Sequence, residues 1–165
     1  MSQFHFAVYL FALAGLAALL LYVVVSDLRT RRIPNGTVLA IAALAIPYWW
    51  ARGIDGAGVL EQAAVLAGAG LVFGLIWQAG HWRGRRYLGG GDLKLYLALA
   101  LWLPARPYLE MLVWMSLAGV VLSLVILILR RRGGQAGPAR VPYGVAIAGG
   151  VFAVFGELIV KHFPA

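Results

Sequence analysis

The sequence predicts an all-α membrane protein, a polytopic bundle of about six transmembrane helices with both termini outside. Three observations carry this. Of the 165 residues, 62% are hydrophobic and only 12% charged, and the mean hydropathy is +0.86. Several runs approach the roughly 20 apolar residues that cross about 30 Å of hydrocarbon, and they are continuously apolar, as helices are and barrel strands are not. Finally, Lys and Arg are confined almost entirely to alternate connections. Residues 1–165 therefore read as one transmembrane domain, without room for a separate soluble one.

In order, the helices are expected near Phe4–Val25, Thr37–Trp50, Val59–Gly80, Leu93–Leu103, Leu109–Leu129 and Pro142–Val160. The first lacks a basic leader region and a small-residue cleavage site, so a removed signal peptide is not expected. The second and fourth are short for full spans and need flanking residues or locally thinned surroundings. Helices 1, 3, 5 and 6 contain glycines, such as Gly68 and Gly70 with Gly74, that suit close helix packing. Trp49, Trp50, Trp82, Trp102, Tyr108 and Trp114 are expected near the membrane interfaces.

Arg29, Arg31 and Arg32 follow helix 1. Arg83, Arg85, Arg86 and Lys94 flank the loop before helix 4, and Arg130, Arg131, Arg132 and Arg140 lie between helices 5 and 6. Arg52, Arg106 and Lys161 fall on the other side. The asymmetry puts the three basic connections in the cytoplasm. It also accounts for the net charge of +8 through topology and anionic-lipid contact, so nucleic acid is not an expected partner.

This orientation has a chemical consequence. Asp27 leaves helix 1 and Asp92 enters helix 4 at the same face, although they are 65 positions apart in sequence. Carboxylates at the edge of hydrocarbon are expensive and point to function by default. Each has a bland alternative. Asp27 could pair with Arg29, Arg31 or Arg32, and Asp92 could be the N-cap of helix 4. Gly89, Gly90 and Gly91, which lack Cβ, would let another backbone lie close to Asp92. Pro142, Tyr143 and Gly144 open helix 6 at that face, where Pro is ordinary helix-start grammar. Glu61 and Glu110 suit the positive ends of helices 3 and 5, Asp55 lies in a glycine-rich outer loop, and Glu157 can reach Lys161 at i+4. With no cysteine, and with His5, His81 and His162 scattered, neither a metal site nor another cofactor is expected.

Together these motifs resemble the type IV prepilin peptidase family, intramembrane aspartic proteases with a Gly-x-Gly-Asp motif. Here that motif is Gly89, Gly91 and Asp92, followed by Leu93 and Lys94; the other family aspartate corresponds to Asp27 in Asp-Leu-Arg-Thr-Arg-Arg-Ile-Pro-Asn. Pro142, Tyr143 and Gly144 resemble the family's late Pro-aromatic-Gly element. The resemblance implies Asp27 and Asp92 as catalytic residues, with Gly89, Gly91, Lys94, Pro142, Tyr143 and Gly144 shaping the site or binding substrate. It also implies a multi-pass protein of the bacterial inner membrane that removes prepilin or pseudopilin leaders at the cytoplasmic side, with membrane lipids as its other partners. Large members add a cysteine-rich zinc region and N-methyltransferase activity, so this chain resembles the peptidase-only branch of Flp-type (Tad) pilus assembly.

Two close carboxylates sharing one proton can activate water and polarise a scissile carbonyl without metal or covalent intermediate. The helix dipole favours an anion at the start of helix 4 and disfavours one at the end of helix 1, which would make Asp92 the initial base and Asp27 the proton holder. The competing class is an ion- or proton-coupled transporter using the same aspartates, with a scaffold built on Asp–Arg pairs behind it.

Overall fold

The computed structural model describes residues 2–85, 87–132 and 143–162. Among these the chain forms six α-helices and no strand: α1 (Gln3–Thr30), α2 (Asn35–Arg52), α3 (Gly56–Trp82), α4 (Gly90–Ala100), α5 (Ala105–Arg132) and α6 (Tyr143–His162). Their number and order match the sequence expectation. Their ends differ: α1 continues past Asp27, and α4 starts before Asp92 and stops short of Leu103.

α1, α3 and α5 are each long and apolar enough to cross a membrane. Within their most apolar windows only 22%, 11% and 0% of residues are buried inside the protein, so lipid is the solvent for most of their surface. α1 packs against α2 and α6, α6 against α5, and α4 against both α2 and α3. The fully buried side chains Leu20, Ile41, Leu95, Leu99, Trp102 and Ile147 place the core around α4.

α4 is the unusual element. Its 11 residues rise only about 16 Å, so the chain stops being helical well inside the protein. Backbone carbonyls at such depth need protein donors. They have them. The indole Nε1 of Trp49 donates to Leu101 O at 2.6 Å, and the hydroxyl of Tyr108 donates to Tyr96 O at 3.1 Å. With its amide nitrogen turned inward, the buried Gln62 donates to Ala100 O at 2.8 Å and Leu103 O at 3.1 Å. Trp102 donates to Ile41 O of α2 at 2.9 Å. Trp102 and Tyr108 are thus core residues and not part of an interfacial belt, whereas Trp50 and Trp82 are exposed.

Three of the four remaining acids serve the far end of the bundle. Asp55 caps α3 by accepting from Gly58 N, Glu61 accepts from Ala105 N at the start of α5, and Glu110 pairs with Arg106 one turn away. The dipole reading of Glu61 needs one correction, since the helix start it serves is that of α5.

Candidate active site

At the opposite end, α1 closes with a set of local bonds. Arg31 takes the left-handed conformation (φ 55°) and donates its N–H to Asp27 O at 3.0 Å. Thr30 Oγ1 donates to Ser26 O, and Ser26 Oγ donates to Arg32 O, both at 2.8 Å. The Asp27 backbone is thereby fixed and its carboxyl turns inward, leaving the residue only 7% exposed.

That carboxyl meets α6. The backbone N–H of Gly144 donates to Asp27 Oδ2 at 2.8 Å. A Cβ added at Gly144 would lie 3.0 Å from that oxygen and 3.1 Å from Asp27 Cβ, so glycine is what lets the start of α6 come this close. Among the described residues no salt bridge joins Asp27 to Arg29, Arg31 or Arg32, all of which are exposed. The surface ion pair is not what this fold builds.

Asp92 sits in the first turn of α4, whose N-cap is Gly89 in extended conformation. It is therefore not the N-cap itself. Its carboxyl curls back over Gly89, where an added Cβ would lie 2.6 Å from Oδ2. Gly91 faces Ile33 of the α1–α2 connection, whose Cβ is 3.2 Å from where a Gly91 Cβ would stand. Lys94 lies two residues on, roughly 200° around the helix from Asp92, and its Nζ donates to Asn35 Oδ1 at 3.0 Å. So the linker after Asp27 is clamped to the first turn of α4, and this holds the two aspartate-bearing segments together.

The carboxyls themselves are neighbours: Asp92 is half-buried, and Asp27 is the charged group that acts on it. The pair could take a proton from water and give one to a carbonyl or amine. The dipole-based division of roles loses its footing, however. It weighed the dipoles of the helices carrying the aspartates, their burial and the nearby basic residues, and the fold adds the N-terminal amide of α6 to Asp27.

Of the expected site residues, Asp27, Gly89, Gly91, Asp92 and Gly144 come together, and Tyr143 stands beside them as the exposed first residue of α6. Lys94 points elsewhere, toward Asn35. Pro142, with Arg86 and Arg140, lies outside the described residues. The sequence reading missed Ser26, Ile33 and Asn35, which hide within a stretch dominated by its arginines. It also missed Tyr96, one turn beyond Asp92, buried and stacked on Phe73 at 4.5 Å with Asp92 and Tyr143 as electrostatic neighbours. The i+4 spacing from Asp92 was its available signal. Among the described residues no three or more His, Asp or Glu side chains converge as a metal site would need.

The model of the type IV leader peptidase family matches residues 14–124, which include both aspartates and more than half of the chain. The chain belongs to the type IV leader peptidase family. Membership gives its general activity, leader-peptide cleavage, and its general substrate, a prepilin. The family match ends before α6, so the contact of Gly144 with Asp27 is supplied by the structure alone. No curated protein and no solved structure matches the chain significantly.

Proposed function

We propose that Asp27 and Asp92 are the catalytic pair of an intramembrane aspartic endopeptidase that removes the leader of Flp-like prepilins at the cytoplasmic face of the bacterial inner membrane. The observation that carries this reading is the pair itself: two carboxyls 65 positions apart in sequence, interacting at one end of the bundle, one of them held by a backbone amide.

In the reaction, the ionised member takes a proton from a water molecule as its oxygen attacks the scissile carbonyl. The protonated member donates to the carbonyl oxygen, which becomes a gem-diol hydroxyl. Collapse of that intermediate breaks the C–N bond as the proton taken from water passes to the leaving amine and the other carboxylate takes back a gem-diol hydroxyl proton, which restores the pair. A prepilin brings a basic leader, a small residue before the cut and an apolar helix after it. Such a substrate would present its cut site at the layer where Asp27 and Asp92 lie, and the basic connections Arg29–Arg32 and Arg130–Arg132 support that layer being cytoplasmic. Gly89 and Gly91 leave room for an extended substrate backbone beside Asp92.

Co-expression with an Flp-type prepilin, followed by mass spectrometry of the pilin N-terminus, tests the reading. A single cut after the basic leader is the expected product. An intact leader in the presence of abundant enzyme would exclude this substrate class.

A further inference from the structure

We propose that the hydroxyl of Tyr96 is a further catalytic group of the site, donating a hydrogen bond to the oxygen of the scissile carbonyl as that oxygen gains charge. This rests on the leader peptidase reading above and adds one residue to its machinery.

Tyr96 follows Asp92 by four residues, so the two share a face of α4, one turn apart. Side chains on a helix lean toward its N-terminus, and a phenol is long enough to span the rise of about 5.4 Å per turn. The hydroxyl thus reaches back toward the level of Asp92. Two groups that act on it electrostatically mark the corner it faces. They are Asp92 on its own helix and Tyr143 at the start of α6, beside the Gly144 whose N–H holds Asp27. The third, Tyr108 of α5, is engaged with the backbone carbonyl of Tyr96.

The rest of the residue is held from two sides. Its ring stacks on Phe73 of α3 at 4.5 Å, its carbonyl accepts from the Tyr108 hydroxyl at 3.1 Å, and only 3% of it is exposed. Packing does not call for the hydroxyl, because phenylalanine would fill the same place with no polar atom to desolvate. Among the described residues that hydroxyl has no hydrogen-bond partner. It is not sealed either, since no fully enclosed side-chain oxygen among these residues lacks a partner. A buried, rigidly mounted residue therefore presents a free donor at the end of the bundle that carries the acid pair.

The chemistry has a use for such a donor. Attack of water moves the π electrons of the carbonyl onto its oxygen, and the protonated carboxyl gives that oxygen its proton. A second, preorganised donor lowers the cost of the charge that builds before this transfer is complete. Tyr96 keeps its own proton throughout, so the balance of the reaction is unchanged.

Tyr96→Phe removes one oxygen and keeps the ring, its stack and the carbonyl that Tyr108 serves. Its thermal unfolding in detergent should match the parent, because no protein partner is orphaned. In vesicles with full-length prepilin, kcat should fall by about 100-fold at unchanged KM, and by the same factor across the pH profile. A near-parental kcat would overturn the proposal. So would a displaced pH profile that keeps its maximum rate, which would make Tyr96 a residue that only tunes Asp92. A stability loss in step with the activity loss would reduce it to packing.

A binding arm needs no turnover. A prepilin peptide with a secondary alcohol in place of the scissile carbonyl presents the oxygen that Tyr96 would hold, and its methylene counterpart lacks it. Tyr96→Phe should bind the alcohol at least about tenfold more weakly than the parent does and the methylene peptide equally well. Equal effects on both peptides would overturn the assignment. An intact leader with the parental enzyme would instead remove the leader peptidase reading itself.

Discussion

Gly144 and Asp27 are joined by a 2.8 Å hydrogen bond that spans 117 residues of sequence. It ties the start of the last helix to the end of the first and fixes one carboxyl of the pair. The position of Asp27 is thus a property of the assembled bundle, and the predictions below probe it from several sides.

Replacing either aspartate should abolish processing without removing the protein. Asn is nearly isosteric with Asp but can neither accept the water proton nor donate an acid proton. Asp27→Asn and Asp92→Asn should each slow prepilin cleavage by at least about 100-fold at unchanged membrane abundance. Quantitative immunoblotting of pilin and enzyme checks this, and near-parental cleavage by either variant would refute the pair.

The two glycines against the carboxyls should differ in how they fail. At Gly144 an added methyl meets Asp27 Cβ and Cγ at 3.1 and 3.2 Å, close to a fixed backbone, so Gly144→Ala should lower stability by about 1–3 kcal/mol. It should also cut activity by about 100-fold through displacement of the carboxyl. At Gly89 the clash is with the end of the Asp92 side chain, which can rotate away. Gly89→Ala should therefore keep its thermal stability in detergent while still losing cleavage. Equal stability losses in the two variants would contradict this distinction.

Gln62→Leu isolates stability from chemistry. Leucine fills similar space but leaves Ala100 O and Leu103 O without their donor, at a cost of about 1–3 kcal/mol. Thermal unfolding in detergent should show the loss, while cleavage per folded molecule stays near parental. A variant as stable as the parent would mean those carbonyls find other donors.

Reporter fusions test the orientation. Those placed after Arg32 and Arg132 should report the cytoplasm, and those at Gly53 and Arg106 the outside. The reverse pattern would move the aspartate layer to the outer face and exclude cytoplasmic leader cleavage.

Much of this was legible in the sequence because lipid imposes a simple rule: continuous apolar runs must be helices, and the basic connections divide them between two faces. That rule alone brought Asp27 and Asp92 to one layer. It could not find the inner end of α4, because Gln62, Trp49 and Tyr108 act there through long-range hydrogen bonds that leave no local pattern. For the same reason Trp102 read as an interfacial aromatic. The Lys94–Asn35 clamp was hidden by its neighbours: both residues sit among motif positions whose charge and glycine content explained them without a partner.

The bond between Gly144 and Asp27 also sets an order of assembly. A nascent chain that has inserted α1 to α5 already contains both aspartates, yet the amide that anchors one of them is still unmade or in transit. That anchor arrives only with α6. A ribosome-bound or truncated intermediate that lacks α6 therefore holds the acid pair without this anchor, and the protease proposed above would stay idle until α6 is in place.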